Sequence, residues 1–125
     1  MNNIKLIIEK GNGGKLWGRI KKGDNLLIDS ANTVAELEKK MQALLKKFHG
    51  LKDVQFKQFY DVSAFFQHFN FLNQSKLAEL SEINPGLLRQ YASGTKHPSP
   101  EQAKKIERAI HKVGSNLKAV SLYAA

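Results

Sequence analysis

The pattern of the chain changes near Asp61. Before it, apolar side chains alternate or come in short runs separated by glycine turns; after it, segment after segment opens on a helix-capping residue. A period of 2 and a period of 3.6 bury different faces, so one cannot stand in for the other. The chain therefore reads as two small units, residues 1–60 and 61–125, which its length of 125 residues accommodates.

In the first unit "IKLIIE" places Ile4, Leu6 and Ile8 on one face, as a half-buried strand does. "GNGG", Gly11 to Gly14, is a turn, and "KLWGRI" returns as the second strand of a hairpin. A turn at Gly23, Asp24 and Asn25 leads to a short third strand, "LLID". Thr33 and Glu36 form a capping box. Behind it Val34, Leu37, Met41, Leu44, Leu45 and Phe48 recur on one helical face, and Gly50 closes the helix. "VQFKQFY" is a fourth strand. In the second unit Asp61, Asn73, Asn84 and Ser99 each stand where an N-cap is needed, and Pro85 and Pro100 each follow at the first helical position. The tail "NLKAVSLY", Asn116 to Tyr123, reads as a last strand. The expected fold class is α+β: a βββαβ unit, then an all-helical unit with a C-terminal strand.

Charge narrows the partners. Lys and Arg outnumber Asp and Glu by 20 to 11, a net charge of +9, which favours nucleic acid or another polyanion. The chain has no cysteine, so disulfides and thiolate metal sites are excluded and a reducing cytoplasm is the expected location. No apolar run is long enough to span a membrane, so no membrane partner is expected.

The helix starting at Pro85 carries the sharpest signal. Leu87, Leu88 and Tyr91 share its apolar face; Gly86, Arg89, Gln90 and Ser93 share the opposite one. Arg and Gln side chains match guanine and adenine edges. Glycine in a helix costs about 1 kcal/mol relative to alanine, a cost explained if the start of this helix approaches DNA closely. The competing explanation is a solvated polar face with a tolerated glycine.

The surrounding stretch "NQSKLAELSEINPGLLRQYASGTKHPS" resembles the helix-turn-helix of the Cro/phage-repressor (XRE) superfamily. Gln74, Leu77, Ala78, Ile83, Leu87, Tyr91, Gly94 and "KHPS" carry the resemblance, with Ile106 and Ile110 on the next helix. Glu82 departs from it, standing where the family has glycine. The resemblance implies that the second helix enters the major groove, with Asn84, Gly86, Arg89 and Gln90 on the base side. Gln74, Ser75, Thr95, Lys96 and His97 become backbone contacts. Lys104, Lys105, Arg108 and Lys112 fall on the following helix and are expected to be a solvated face.

The first unit resembles the N-terminal domain of HicB-type antitoxins, a partial ribonuclease H-like fold, in its strand order and its "TVAELEKKM" helix. Together the two resemblances imply a DNA-binding repressor, the antitoxin of a HicA/HicB-like type II system that controls its own operon. Its expected partners are double-stranded operator DNA with an inverted repeat, a HicA-like toxin and a second copy of itself, the tail serving as the dimer edge. The alternative is a module that binds a partner protein without reading DNA.

Catalysis and cofactors are not expected. Glu9, Asp24, Asp29, Glu36, Glu38, Asp53 and Asp61 have other places in turns, caps and strand ends, and His49, His68, His97 and His111 lack metal-ligand spacing. The Gly11–Gly14 loop does not lead into a helix, as a phosphate-binding loop would. Trp17, Phe56, Phe59, Phe65, Phe66, Phe69 and Phe71 are expected to be core or interdomain packing rather than a stacking surface for single strands.

Overall fold

The computed structural model describes residues 2–124, which divide into two compact units meeting in sequence between Asn70 and Phe71. The first unit runs β1 (Asn2–Lys10), a 3-10 turn (Asn12–Gly14), β2 (Leu16–Lys22), β3 (Asn25–Ala31), α1 (Val34–His49), β4 (Val54–Tyr60) and α2 (Val62–His68). Its sheet has the order β3-β2-β1-β4, antiparallel except for the parallel β1–β4 pair. The expected βββαβ order is therefore present.

One sheet face is packed. Ile4, Leu6, Ile8, Leu16, Ile20 and Leu27 cluster with Val34, Leu37, Met41 and Leu45 of α1. Gly18 lets α1 come close: a Cβ there would lie 2.8 Å from a methyl of Leu37. Thr33 caps α1, accepting the Glu36 N–H at 3.2 Å, and Gly50 closes it in the left-handed conformation. Phe48 does not join the core. It shares the helical face, but it lies in the last turn beyond Leu45 and is 57% exposed. Asp61 caps α2, whose Ala64 enters the core of the sheet.

The second unit runs α3 (Gln74–Ser81), α4 (Pro85–Ser93) and α5 (Pro100–Ala119). Asn73, Asn84 and Ser99 cap them as the sequence predicts. The core is Leu77, Ala78, Ile83, Leu88, Tyr91, Ile106 and Ala109.

Among the described residues the expected C-terminal strand is absent. The last described element is α5, which takes in Asn116 to Ala119, and residues 120–124 carry no regular structure. The physical reason is pairing. A strand needs a neighbour for its N–H and C=O groups, and among its described residues this unit has no other strand, whereas a helix satisfies its own backbone. Leu117, Val120, Leu122 and Tyr123 are left exposed.

Candidate nucleic-acid interface

Two helices joined by a tight turn form the candidate site. Asn73 Oδ1 accepts the Lys76 N–H at 3.0 Å and Asn73 O accepts that of Leu77 at 3.1 Å. Helix geometry supplies no partner for the first amides of α3, at Gln74 and Ser75. Ser75 is exposed and Gln74 half-buried, so that end can meet an anion.

The turn itself is strained. Glu82 has φ 57° and ψ 41°, the left-handed region. Its N–H reaches Glu79 O at 3.2 Å, and the Ile83 N–H reaches back to Ala78 O at 3.0 Å. This double closure, with Ile83 buried beyond it, is the glycine-type helix stop carried out by a glutamate. It fixes the direction in which α4 leaves.

Asn84 starts α4 by accepting from Gly86 N at 2.8 Å and from Leu87 N at 3.3 Å. Leu88 and Tyr91 anchor the helix in the core, while Leu87 is only half-buried. Gly86, Arg89, Gln90 and Ser93 share the outward face; Arg89 and Ser93 are exposed, Gly86 and Gln90 half-buried. Arg89 has no ion-pair partner among the described residues, so its guanidinium is available to a ligand.

Gly86 has a local cause that the sequence did not reveal. A Cβ there would stand 3.1 Å from Asn84 Oδ1 and 3.8 Å from Arg89 Nη2. Close approach to DNA is therefore not needed to explain the glycine, because the capping oxygen of Asn84 already crowds that space.

Beyond α4, Gly94 turns the chain at φ 83°. Thr95 and Ser93 hydroxyls bond at 2.8 Å, and the Lys96 N–H reaches Gln90 O at 3.2 Å. These bonds hold Thr95, Lys96 and His97, all exposed, just past the end of the helix. On α5, Lys104 pairs with Glu107 at 3.4 Å. Lys105, Arg108 and Lys112 border, with Glu82, a depression of about 230 Å³ at the C-terminal end of α3. Carbonyls at a helix end attract cations, which accounts for that cluster.

Among the described residues no group of three or more His, Cys, Asp or Glu could hold a metal ion. No described helix is long and apolar enough to cross a membrane.

The chain matches no protein-family model, no curated protein and no solved structure.

In the first unit the structure separates the aromatic residues. Phe56 packs on the core, Phe66 is buried, and Phe65, Phe69, Tyr60 and His68 form a ring cluster. Trp17 and Phe59 are instead 45% and 40% exposed, and Phe71, at the start of the second unit, is 77% exposed, against the expectation that this set is packing. The alternation within β2 and β4 carried the signal: Trp17 and Phe59 stand out of phase with the buried positions of their strands.

Proposed function

We propose that the protein is a sequence-specific DNA-binding repressor that reads its operator with α4. The observation that carries this reading is the outward face of α4. Arg89 has no ion-pair partner among the described residues and Gln90 lies beside it, on a helix placed by the Glu82 turn and the Asn84 cap. These are the side chains and the helix position that read bases from the major groove. Gln74 and Ser75 at the start of α3, with Thr95 and Lys96 after α4, serve as phosphate contacts that set the register. The basic balance of the chain supplies the non-specific attraction.

A single helix reads too few base pairs to select one site in a genome. The repressor therefore acts as a dimer on a near-palindrome with half-sites about 34 Å apart. The resemblance of the first unit makes it the antitoxin of a HicA/HicB-like system in the cytoplasm, with a HicA-like toxin as protein partner and no catalytic role of its own.

The test is a gel shift with the DNA upstream of the protein's own gene. Retardation at low salt that survives excess random DNA is expected. No shift at low salt would contradict the repressor reading.

A further inference from the structure

The sheet of the first unit has a second face, opposite α1, whose composition the DNA reading leaves unexplained. The two units are both basic: residues 1–70 hold 12 Lys and Arg against 7 Asp and Glu, and residues 71–125 hold 8 against 4. The excess is thus not confined to the helix-turn-helix.

On this face the strand register sets out rows. Phe59, Ile7, Arg19 and Ile28 stand side by side across β4, β1, β2 and β3. Lys57 pairs with Lys5 across β4 and β1. Lys21 lies two residues past Arg19 on β2, and Lys5 two residues before Ile7 on β1. In this antiparallel pair both therefore fall on the same side of the Ile7–Arg19 row. Three lysines thus form a stripe across three adjacent strands, and Leu26 ends it on β3. All three are exposed, and none has an ion-pair partner among the described residues. Neighbouring strands are about 4.8 Å apart, and like charges at that spacing destabilise a sheet. A bound polyanion would relieve this repulsion.

The aromatic residues are set beside the stripe. Lys5 Nζ lies 4.4 Å and Lys57 Nζ 5.5 Å from the centre of the Phe59 ring. Lys5, Ile7, Glu9, Arg19 and Phe59 line a depression of about 260 Å³. On the far side of the Phe59 row, Trp17 faces out next to Glu9. Its indole occupies the space over Gly11 that a side chain there would need. Arg19 is held by Glu9 at 2.7 Å between the two aromatic positions.

We propose that this face is a second nucleic-acid site, for single strands. The Lys5 and Lys57 ammonium groups that lie over the Phe59 ring in the free protein swing with Lys21 to the phosphates, and the uncovered Phe59 ring and the side of the Trp17 indole away from Gly11 stack on unpaired bases. Positive charge beside aromatic rings on an open four-stranded sheet is one arrangement that serves single-strand binding. A second copy of the same face is disfavoured because it would set lysines against lysines. An acidic protein would answer the lysines but would leave the exposed Phe59 and Trp17 rings without a use. The inference is independent of the role given to α4.

Trp17 is the only tryptophan in the chain, so its fluorescence reports on this face alone. The full-length protein is titrated with a short oligouridylate at low salt. Saturable quenching of Trp17 is expected, unchanged in Arg89→Ala. Substituting Lys5, Lys21 and Lys57 together by Gln should weaken the binding at least about tenfold. Phe59→Ser, which keeps every charge, should weaken it about tenfold. Thermal melts of both variants, followed by circular dichroism, check that the fold is retained. The proposal is overturned by an absence of quenching, by quenching that both variants leave unchanged, or by loss of quenching in Arg89→Ala. An equal response to polyglutamate would assign the face to an acidic protein instead.

Discussion

Asn84 and Gly86 are joined by a 2.8 Å hydrogen bond in which the asparagine Oδ1 accepts the glycine N–H, and a Cβ on residue 86 would press to 3.1 Å on that same oxygen. The proline-glycine start of α4 is therefore a cap that needs a small second residue. Gly86→Ala sets two effects of similar size against each other. Alanine is the better helix former by about 1 kcal/mol, and a disturbed N-cap costs about 1 kcal/mol. Chemical denaturation should find the variant within about 0.5 kcal/mol of the parent. A gain of about 1 kcal/mol would show that the cap is indifferent to the methyl group.

Glu82 offers a clearer gain. It is the one residue other than glycine with positive φ among the described residues. The left-handed conformation costs a side chain about 1–2 kcal/mol, and glycine gives part of that back through its greater unfolded freedom. Glu82→Gly should stabilise the protein by about 1 kcal/mol. Urea midpoints at constant slope measure it, and a destabilised variant would mean that the carboxylate holds the turn through Arg108 or Lys112.

Gly18 should behave in the opposite way. Its place in β2 is extended and easily adopted, but a Cβ would meet Leu37 Cδ2 at 2.8 Å and Leu37 Cγ at 3.1 Å, and Leu37 is fully buried. Gly18→Ala should cost about 1–3 kcal/mol through overpacking. A variant of unchanged stability would show that α1 can move away from the sheet freely.

Tyr60 gives the first unit a pH dependence. Burial, and then the nearby Glu38 carboxylate, push its phenol from 10.0 up to about 12. Its hydroxyl donates to Gln58 Oε1 at 2.8 Å, and Gln58 in turn donates to Glu38 at 2.8 Å. The folded state therefore keeps the phenol proton at pH values where the unfolded chain has lost it. This contribution is whole below about pH 10 and falls as pH rises toward about 12. Lysines titrate in the same range, so the measurement is the difference in alkaline stability between the parent and Tyr60→Phe. The phenylalanine variant should lose less stability across that window, and parallel curves would contradict the account.

Much of this fold was legible because its signals are local. Thr33, Asp61, Asn73, Asn84 and Ser99 all cap the helices they precede, and Gly50 and Gly94 both close theirs. Alternation in "IKLIIE" gave the first strand and its buried face, and the glycine turn gave "KLWGRI" as the second strand but not the outward side of Trp17. What failed depends on partners distant in sequence. Asn116–Tyr123 has strand-like composition, but a strand is a pairing, and Asn116 to Ala119 joined α5 instead. Phe48 kept the helical period but lies past the packed part of α1. The lysine stripe was invisible because Lys5, Lys21 and Lys57 become neighbours only through the sheet register. Of the candidate site, the outward position of Arg89 followed from periodicity, whereas the resemblance alone placed Ser75 and Lys96. The crowding between Gly86 and Asn84 did not, because it depends on a side-chain rotamer.

In the proposed repressor α4 reads bases while Lys96 holds the DNA backbone. The direct measurement is the affinity of Arg89→Ala and Lys96→Ala for operator and for random DNA over a range of salt. Arg89→Ala should lose about 1–3 kcal/mol on the operator and far less on random DNA. Lys96→Ala should weaken both alike and lower the salt slope by about 1. If Arg89→Ala weakens operator and random DNA equally, or neither, α4 is not the reading helix and the account fails.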